Sequence, residues 1–197
     1  MIQTKASATP AQSSDRWTIY DLECFPIEEG KRYEIIDGEL FISDPGHWYH
    51  QATCGEIAVE LMLWIRKSSN GEVVSAPGVI FDAENAVAPD VVWVSSERLP
   101  LILGEDGKLH NAPDLAVEVL SPGDRNERRD REAKLKLYSV RGVREYWIAD
   151  WRAKTLEVYR REGAALRLTA TLYAEDALTS PLLPGFDVKV ARLFPGQ

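Results

Sequence analysis

The chain has 197 residues, 45% of them apolar and 27% charged, with a formal net charge of −8. That length and mixture suit one globular domain with a substantial core, and no apolar run approaches the roughly 18–20 residues of a membrane-spanning helix, so the chain is read as cytoplasmic. Its 23 basic and 31 acidic side chains exclude a general nucleic-acid coat, whose affinity comes mainly from cations on phosphates.

Residues 1–15 are rich in Ser, Thr, Ala and Gln without periodicity and predict a disordered N-terminal tail; residues 16–197 predict a single domain. Thr18 is placed to cap a short helix running to about Cys24, which Pro26 closes. Arg32–Ser43 reads as a β-hairpin turning at Asp37-Gly38. His47–Lys67 has helical spacing, with Ile57, Leu61 and Trp64 on one face, and Asn70-Gly71 ends it. Short strands are expected at Val73–Ser75, Val79–Phe81 and Val91–Ser95, then a loop over Ser96–Pro113.

Leu115–Leu120 is the clearest strand. Ser121-Pro122-Gly123-Asp124 turns it into a helix from about Asn126 to Val140, which Gly142 stops before a strand at Arg144–Ala149. Leu156–Arg160 and Leu166–Leu172 form a further hairpin, and Leu182–Val190 is a short β-type tail. This order predicts an α/β (α+β) fold, a mixed sheet with helices packed on it. The unit from Leu115 to Ala149 is long enough for a right-handed parallel crossover.

Two carboxylates stand in apolar strands: Asp90 heads Pro89-Asp90-Val91-Val92-Trp93-Val94, and Glu118 lies within Leu115–Leu120. Such charges are costly unless paired, hydrogen-bonded or bound to a cation. Alternation puts Glu118 on the face of Ala116 and Leu120, opposite Val117 and Val119. On adjacent strands the pair suits a hard cation, Mg²⁺ or Mn²⁺. The bland alternative is one carboxylate paired with a helix arginine and the other capping a turn. In the following helix Lys134 and Tyr138 are i,i+4 neighbours, and a lysine there can stabilise charge developing on a phosphate. The segment Asp124–Glu145 carries eight Lys/Arg against five Asp/Glu, either a local basic patch or a solvated face laced with ion pairs. Cys24 and Cys54 lack metal-like spacing and read as small buried hydrophobes.

Tyr33-Glu34-Ile35-Ile36-Asp37-Gly38-Glu39-Leu40, His50, Pro89-Asp90-Val91, Pro113-Asp114-Leu115, Glu118-Val119-Leu120-Ser121-Pro122, Lys134 with Tyr138, and Gly142 through Asp150 follow in order. From about Trp17 to Arg160 the set resembles the bacterial Uma-type family of putative restriction endonucleases, within the PD-(D/E)XK nuclease superfamily. The resemblance implies a restriction-endonuclease-like mixed β-sheet flanked by helices. It implies a Mg²⁺- or Mn²⁺-dependent endonuclease cleaving DNA by activated water. Asp90 and Glu118 match the metal carboxylates, with Val119 as a further ligand. Leu120 occupies the usual lysine position, and Lys134 matches the family's displaced lysine, with Lys136 as its fallback on another face. Glu34 matches an early catalytic glutamate whose alternative reading is an edge-strand surface carboxylate. His50 and Tyr138 are accessory candidates, Tyr138 reading chiefly as packing. A homodimer would join the basic segments of two chains around DNA. Rival readings are a catalytically silent nuclease fold that binds nucleic acid or regulates, and a carboxylate-pair hydrolase acting on sugars.

Overall fold

Residues 16–26 and 28–196 are described by the structure, a computed structural model; the tail expected at residues 1–15 lies outside them. Thr18 begins helix α1 (Ile19–Cys24) with a capping box completed by Asp21. The hairpin follows as β1 (Arg32–Ile36) and β2 (Glu39–Ser43), paired Ile36 to Glu39. Its two turn residues, Asp37 and Gly38, both have positive φ, at 49° and 76°. That is the conformation a two-residue turn needs to match strand twist, and it explains the Asp-Gly pair.

Helix α2 (Trp48–Ser68) buries His50, Cys54, Ile57, Leu61 and Trp64, a stripe spaced by four and three residues. Ser69, in the left-handed region at φ 53°, closes it one residue before the expected Asn70-Gly71. The strands β3 (Glu72–Ser75), β4 (Val79–Asp82), β5 (Asn85–Val87) and β6 (Val91–Val94) follow. The sequence reading missed β5, whose three residues are too short to show an alternating pattern. It also missed a single helical turn, α3 (Leu99–Ile102), inside the expected loop.

Strand β7 (Leu115–Val119) leads through α4 (Asp124–Arg128), a π-helical segment (Arg129–Lys134) and α5 (Leu135–Arg141) into β8 (Glu145–Asp150). Strands β7 and β8 are parallel, so the expected crossover is present. The expected helix over this span is instead broken by the wider i→i+5 turn, a feature that periodicity of apolar residues cannot reveal. The hairpin β9 (Thr155–Glu162) and β10 (Ala165–Leu172) comes next, then β11 (Ala177–Ser180) paired with β12 (Leu183–Lys189). Strand β11 was not anticipated.

The strands form more than the single mixed sheet expected. A six-stranded mixed sheet has the order β10-β9-β8-β7-β6-β3, and an antiparallel four-stranded sheet has the order β2-β1-β5-β4. On one face of the large sheet Val117, Val119 and Trp93 pack with Ile57, Leu61 and Trp64 of α2. On the other, Ala116, Val92 and Ile148 pack with Leu137, Tyr138 and residues of the smaller sheet. Glu118 therefore faces the space between α5 and the smaller sheet, as strand alternation requires. Among the described residues, no helix is long and apolar enough to cross a membrane.

Candidate active site

Antiparallel pairing sets Val91 opposite Val117, so Asp90 and Glu118 flank one another where β6 begins and β7 ends. Both are buried, at 4% and 1% exposure. Asp90 Oδ1 accepts from Arg32 Nη1 at 2.8 Å, and Oδ2 accepts from the Val119 backbone N–H at 2.9 Å. His50, at the start of the buried α2 stripe, brings Nε2 to 3.3 Å from Asp90 Oδ2. Burial by itself raises Asp90, but the hydrogen bond and charge of His50, with Arg32 and Lys134, hold it well below the usual carboxylate range.

Glu118 Oε1 accepts from Lys134 Nζ and from the Tyr138 hydroxyl, each at 2.9 Å. Lys134 is fully buried and also lies 2.9 Å from Glu34 Oε1 and 3.8 Å from Asp130. Glu34, on β1, accepts the Ala88 backbone N–H at 2.9 Å; it is an interior group, which overturns the edge-surface alternative. Arg129 donates to Asp130 and to Ser43, with Glu34 3.8 Å away. The π-helical turn lets Arg129, Asp130 and Lys134 all address this interior space.

Four buried carboxylates (Glu34, Asp90, Glu118, Asp130) thus meet three cations (Arg32, Arg129, Lys134). Burial disfavours the ammonium of Lys134, yet Glu118, Glu34 and Asp130 outweigh it and keep its proton in place. The crowding falls on Glu118, pushed up to about 8 by burial and then by its carboxylate neighbours, against the opposing pull of Lys134. Glu34 Oε2 is buried without a hydrogen-bond partner. This crowded set of oxygen donors, which pushes Glu118 toward its neutral form, is what a hard divalent cation would hold ionised. A second donor set overlaps it: His50, Cys54 and Asp90 offer ligand atoms within 4.8 Å of one another, with a thiol that favours softer ions.

A cleft of about 210 Å³, lined by Arg32, Ser43, His50, Asp90, Ser121 and Arg129, leads from solvent to the Asp90 side of the cluster. A larger groove, about 640 Å³, runs outside between the β1–β2 hairpin and the helical segment, and shares Arg129. Asp90 and His50 line the smaller opening and not the larger groove.

Of the residues singled out by sequence, Asp90, Glu118, Lys134, Glu34, His50 and Tyr138 converge. Tyr138 does more than pack, since its hydroxyl is spent on Glu118. Val119 donates its N–H to Asp90, leaving its carbonyl as the one atom it can offer a cation. Lys136 does not join them: it is exposed and pairs with Asp37 at 2.8 Å. The segment Asp124–Glu145 is an ion-paired surface, with Arg125, Lys136, Arg141 and Arg144 facing Glu39, Asp37, Asp82 and Asp114. Sequence reasoning missed Arg32, Arg129 and Asp130, which carried no apolar context to mark them. Cys54 is buried as expected, whereas Cys24, at the end of the short α1, is exposed.

A mixed α/β sheet flanked by helices, with paired carboxylates where adjacent central strands meet and a lysine from the following helical segment, is a restriction-endonuclease-like arrangement. The chain belongs to the Uma2 family, described as putative restriction endonuclease, whose model matches residues 19–191. A putative nuclease belonging to DUF820 from Anabaena variabilis shares the fold at a TM-score of 0.71 and 18% identity, over 90% of this chain and 97% of its own. The type IIG restriction endonuclease BpuSI is 14% identical over 73% of this chain and 14% of its own, and its TM-score of 0.37 is too low to define a common fold. A search of curated proteins returns no match.

Proposed function

We propose that residues 16–197 act as one domain, a divalent-cation-dependent endonuclease that hydrolyses DNA phosphodiester bonds. The observation that carries this reading is the convergence of Asp90, Glu118 and Glu34 around one buried lysine beside an open cleft. Asp90 and Glu118, with the Val119 carbonyl, would hold Mg²⁺ or Mn²⁺, which supplies a Lewis acid for the phosphoryl oxygen and acidifies a bound water.

The chain's own groups do the rest. Lys134, charged and fixed between two carboxylates behind the cleft, would stabilise negative charge growing on the phosphoryl oxygens, where a preorganised cation in a dry site is worth most. Arg32 and Arg129 line the cleft and give the phosphate its nearest positive charges. Glu34 Oε2, without a hydrogen-bond partner and 3.8 Å from Arg129, is the acceptor left to orient an attacking water. The water oxygen bonds to phosphorus and gives a proton to solvent, as the ester oxygen opposite departs with its electron pair and takes up a proton from solvent.

A homodimer would bring a second cleft to the same nucleic acid, and mass in solution tests it. The decisive experiment on the site compares Asp90→Ala and Glu118→Gln with the parent chain on DNA in Mn²⁺. Cleavage should fall at least about a thousandfold, the loss of about 4 kcal/mol of transition-state stabilisation, with the folded state retained by circular dichroism. Undiminished cleavage in either variant refutes the assignment.

A further inference from the structure

An aromatic surface beside the cleft is not used by the chemistry above. The rings of His47 and Trp151 stack 4.9 Å apart at 8°, and Tyr49 adds to Trp151 at 5.6 Å and 28°. Next to them Trp48, the first residue of α2, is 79% exposed, and Tyr49 is 46% exposed. The group is anchored at the cleft from both sides. Trp151 donates Nε1–H to the Leu120 carbonyl at 3.1 Å, one residue before Ser121 of the cleft wall. On the other side, Gly46, His50 and Gln51 line the cleft, and Trp48 is the i,i+3 neighbour of Gln51 on the helix surface.

The exposed rings of His47, Trp48 and Tyr49, with half-buried Trp151 stacked on His47 and Tyr49, suit a ligand with flat apolar faces on a charged backbone. Unpaired nucleobases have that chemistry, and stacking on them tolerates any sequence. Bases inside a duplex already cover one another's faces and leave only their edges. Duplex binding depends instead on many phosphate contacts, and this surface is poorly supplied for it. The net charge is −8, and the cations of the cleft are already committed to Asp90, Asp130 and Glu34. We propose that His47, Tyr49 and Trp151, with Trp48, form a stacking platform for unpaired bases flanking the scissile phosphate, making single-stranded DNA the substrate of this site. The assignment of the phosphate rests on the nuclease reading; the stacking does not.

The test titrates the full chain in EDTA with a labelled mixed-sequence single strand and with the same sequence as duplex, following tryptophan fluorescence. The single strand should bind more tightly and quench the fluorescence. Trp48→Ala should weaken single-strand binding roughly tenfold, about 1.4 kcal/mol, and leave duplex binding unchanged, while Trp48→Phe retains most of the affinity. Equal or tighter duplex binding, or unchanged single-strand affinity in Trp48→Ala, overturns the proposal. So does a Trp48→Ala variant that loses only a dimer, which would assign the surface to a second copy. Quenching by single strands without Mn²⁺-dependent cleavage of any DNA upholds the platform and refutes the nuclease reading instead. Cleavage with no effect of Trp48→Ala does the reverse.

Discussion

Asp114 and Glu118 stand at opposite ends of strand β7, about 13 Å apart along an extended chain, both fully withdrawn from solvent. Asp114 is closed off: it accepts from the Ser95 backbone N–H at 2.9 Å, from Arg98 at 2.9 Å and from Arg144 at 3.0 Å. Two arginines answer one carboxylate. At the other end four carboxylates share three cations, one oxygen of Glu34 has no partner, and Glu118 is pushed upward. The two ends of β7 therefore carry one carboxylate that ties neighbouring strand ends together and one that is crowded by other carboxylates beside a cleft. A charge that is answered locally serves stability; a charge left in excess is suited to binding a cation.

Substitutions at the two ends should separate these roles. Asp114→Ala strands two arginines and a backbone N–H, and should cost about 2–3 kcal/mol in urea unfolding, less than a fully buried pair because both arginines reach solvent. Glu118→Gln keeps an acceptor for Lys134 and Tyr138 while removing the crowded carboxyl, and should leave stability within about 1 kcal/mol of the parent, even as cleavage disappears. Equal losses from the two would erase the distinction.

Divalent cations should act at one end only. Mn²⁺ at about a hundredfold its Kd should add about 2.7 kcal/mol to the parent chain by linkage, seen as a higher Tm. The increment should survive Asp114→Ala and vanish in Asp90→Ala. An equal Tm rise in Asp90→Ala would place the cation elsewhere.

Acid should act through Asp90, which is held low on folding, and also through Asp114. Burial raises this carboxyl, but the Ser95 N–H, Arg98 and Arg144 outweigh it and lower its pKa on folding. Its contribution to stability is complete above the unfolded value of about 3.9 and is lost as pH falls through the lower folded value. Acid titration of unfolding free energy should show a shallower limb in Asp114→Asn than in the parent; identical limbs would deny the ion-pair role. The smallest effect belongs to Lys136→Ala, which removes one exposed pair with Asp37. It should cost less than about 1 kcal/mol and leave cleavage intact, whereas lost cleavage would move the catalytic lysine from Lys134 to Lys136.

Much of this arrangement is legible in the sequence because apolar strands expose misplaced charges. Asp90 and Glu118 stand out among Val, Leu and Trp, and alternation alone gives the face of Glu118. The Asp37-Gly38 hairpin, the α2 stripe and the crossover to β8 are equally local patterns. Arg32, Arg129 and Asp130 were not legible, since arginine and aspartate in polar stretches look solvated until a fold buries them. Arg32 reaches Asp90 across 58 residues, and no local pattern records that contact. The separation of the four-stranded from the six-stranded sheet was hidden for the same reason, as β1 meets β5 through the single register Ile35 to Ala86.

By itself the sequence determined most of the strands and helices, short β5, β11 and α3 aside, and which two carboxylates would be costly in them. Periodicity and turn chemistry act within a few residues. Only the tertiary structure decided that Lys134 rather than Lys136 enters the interior, that Glu34 joins it from another sheet, and that aromatic rings gather at the rim. Each depends on a π-helical turn or on contacts between distant segments, where burial and pairing of charge are settled jointly and not residue by residue.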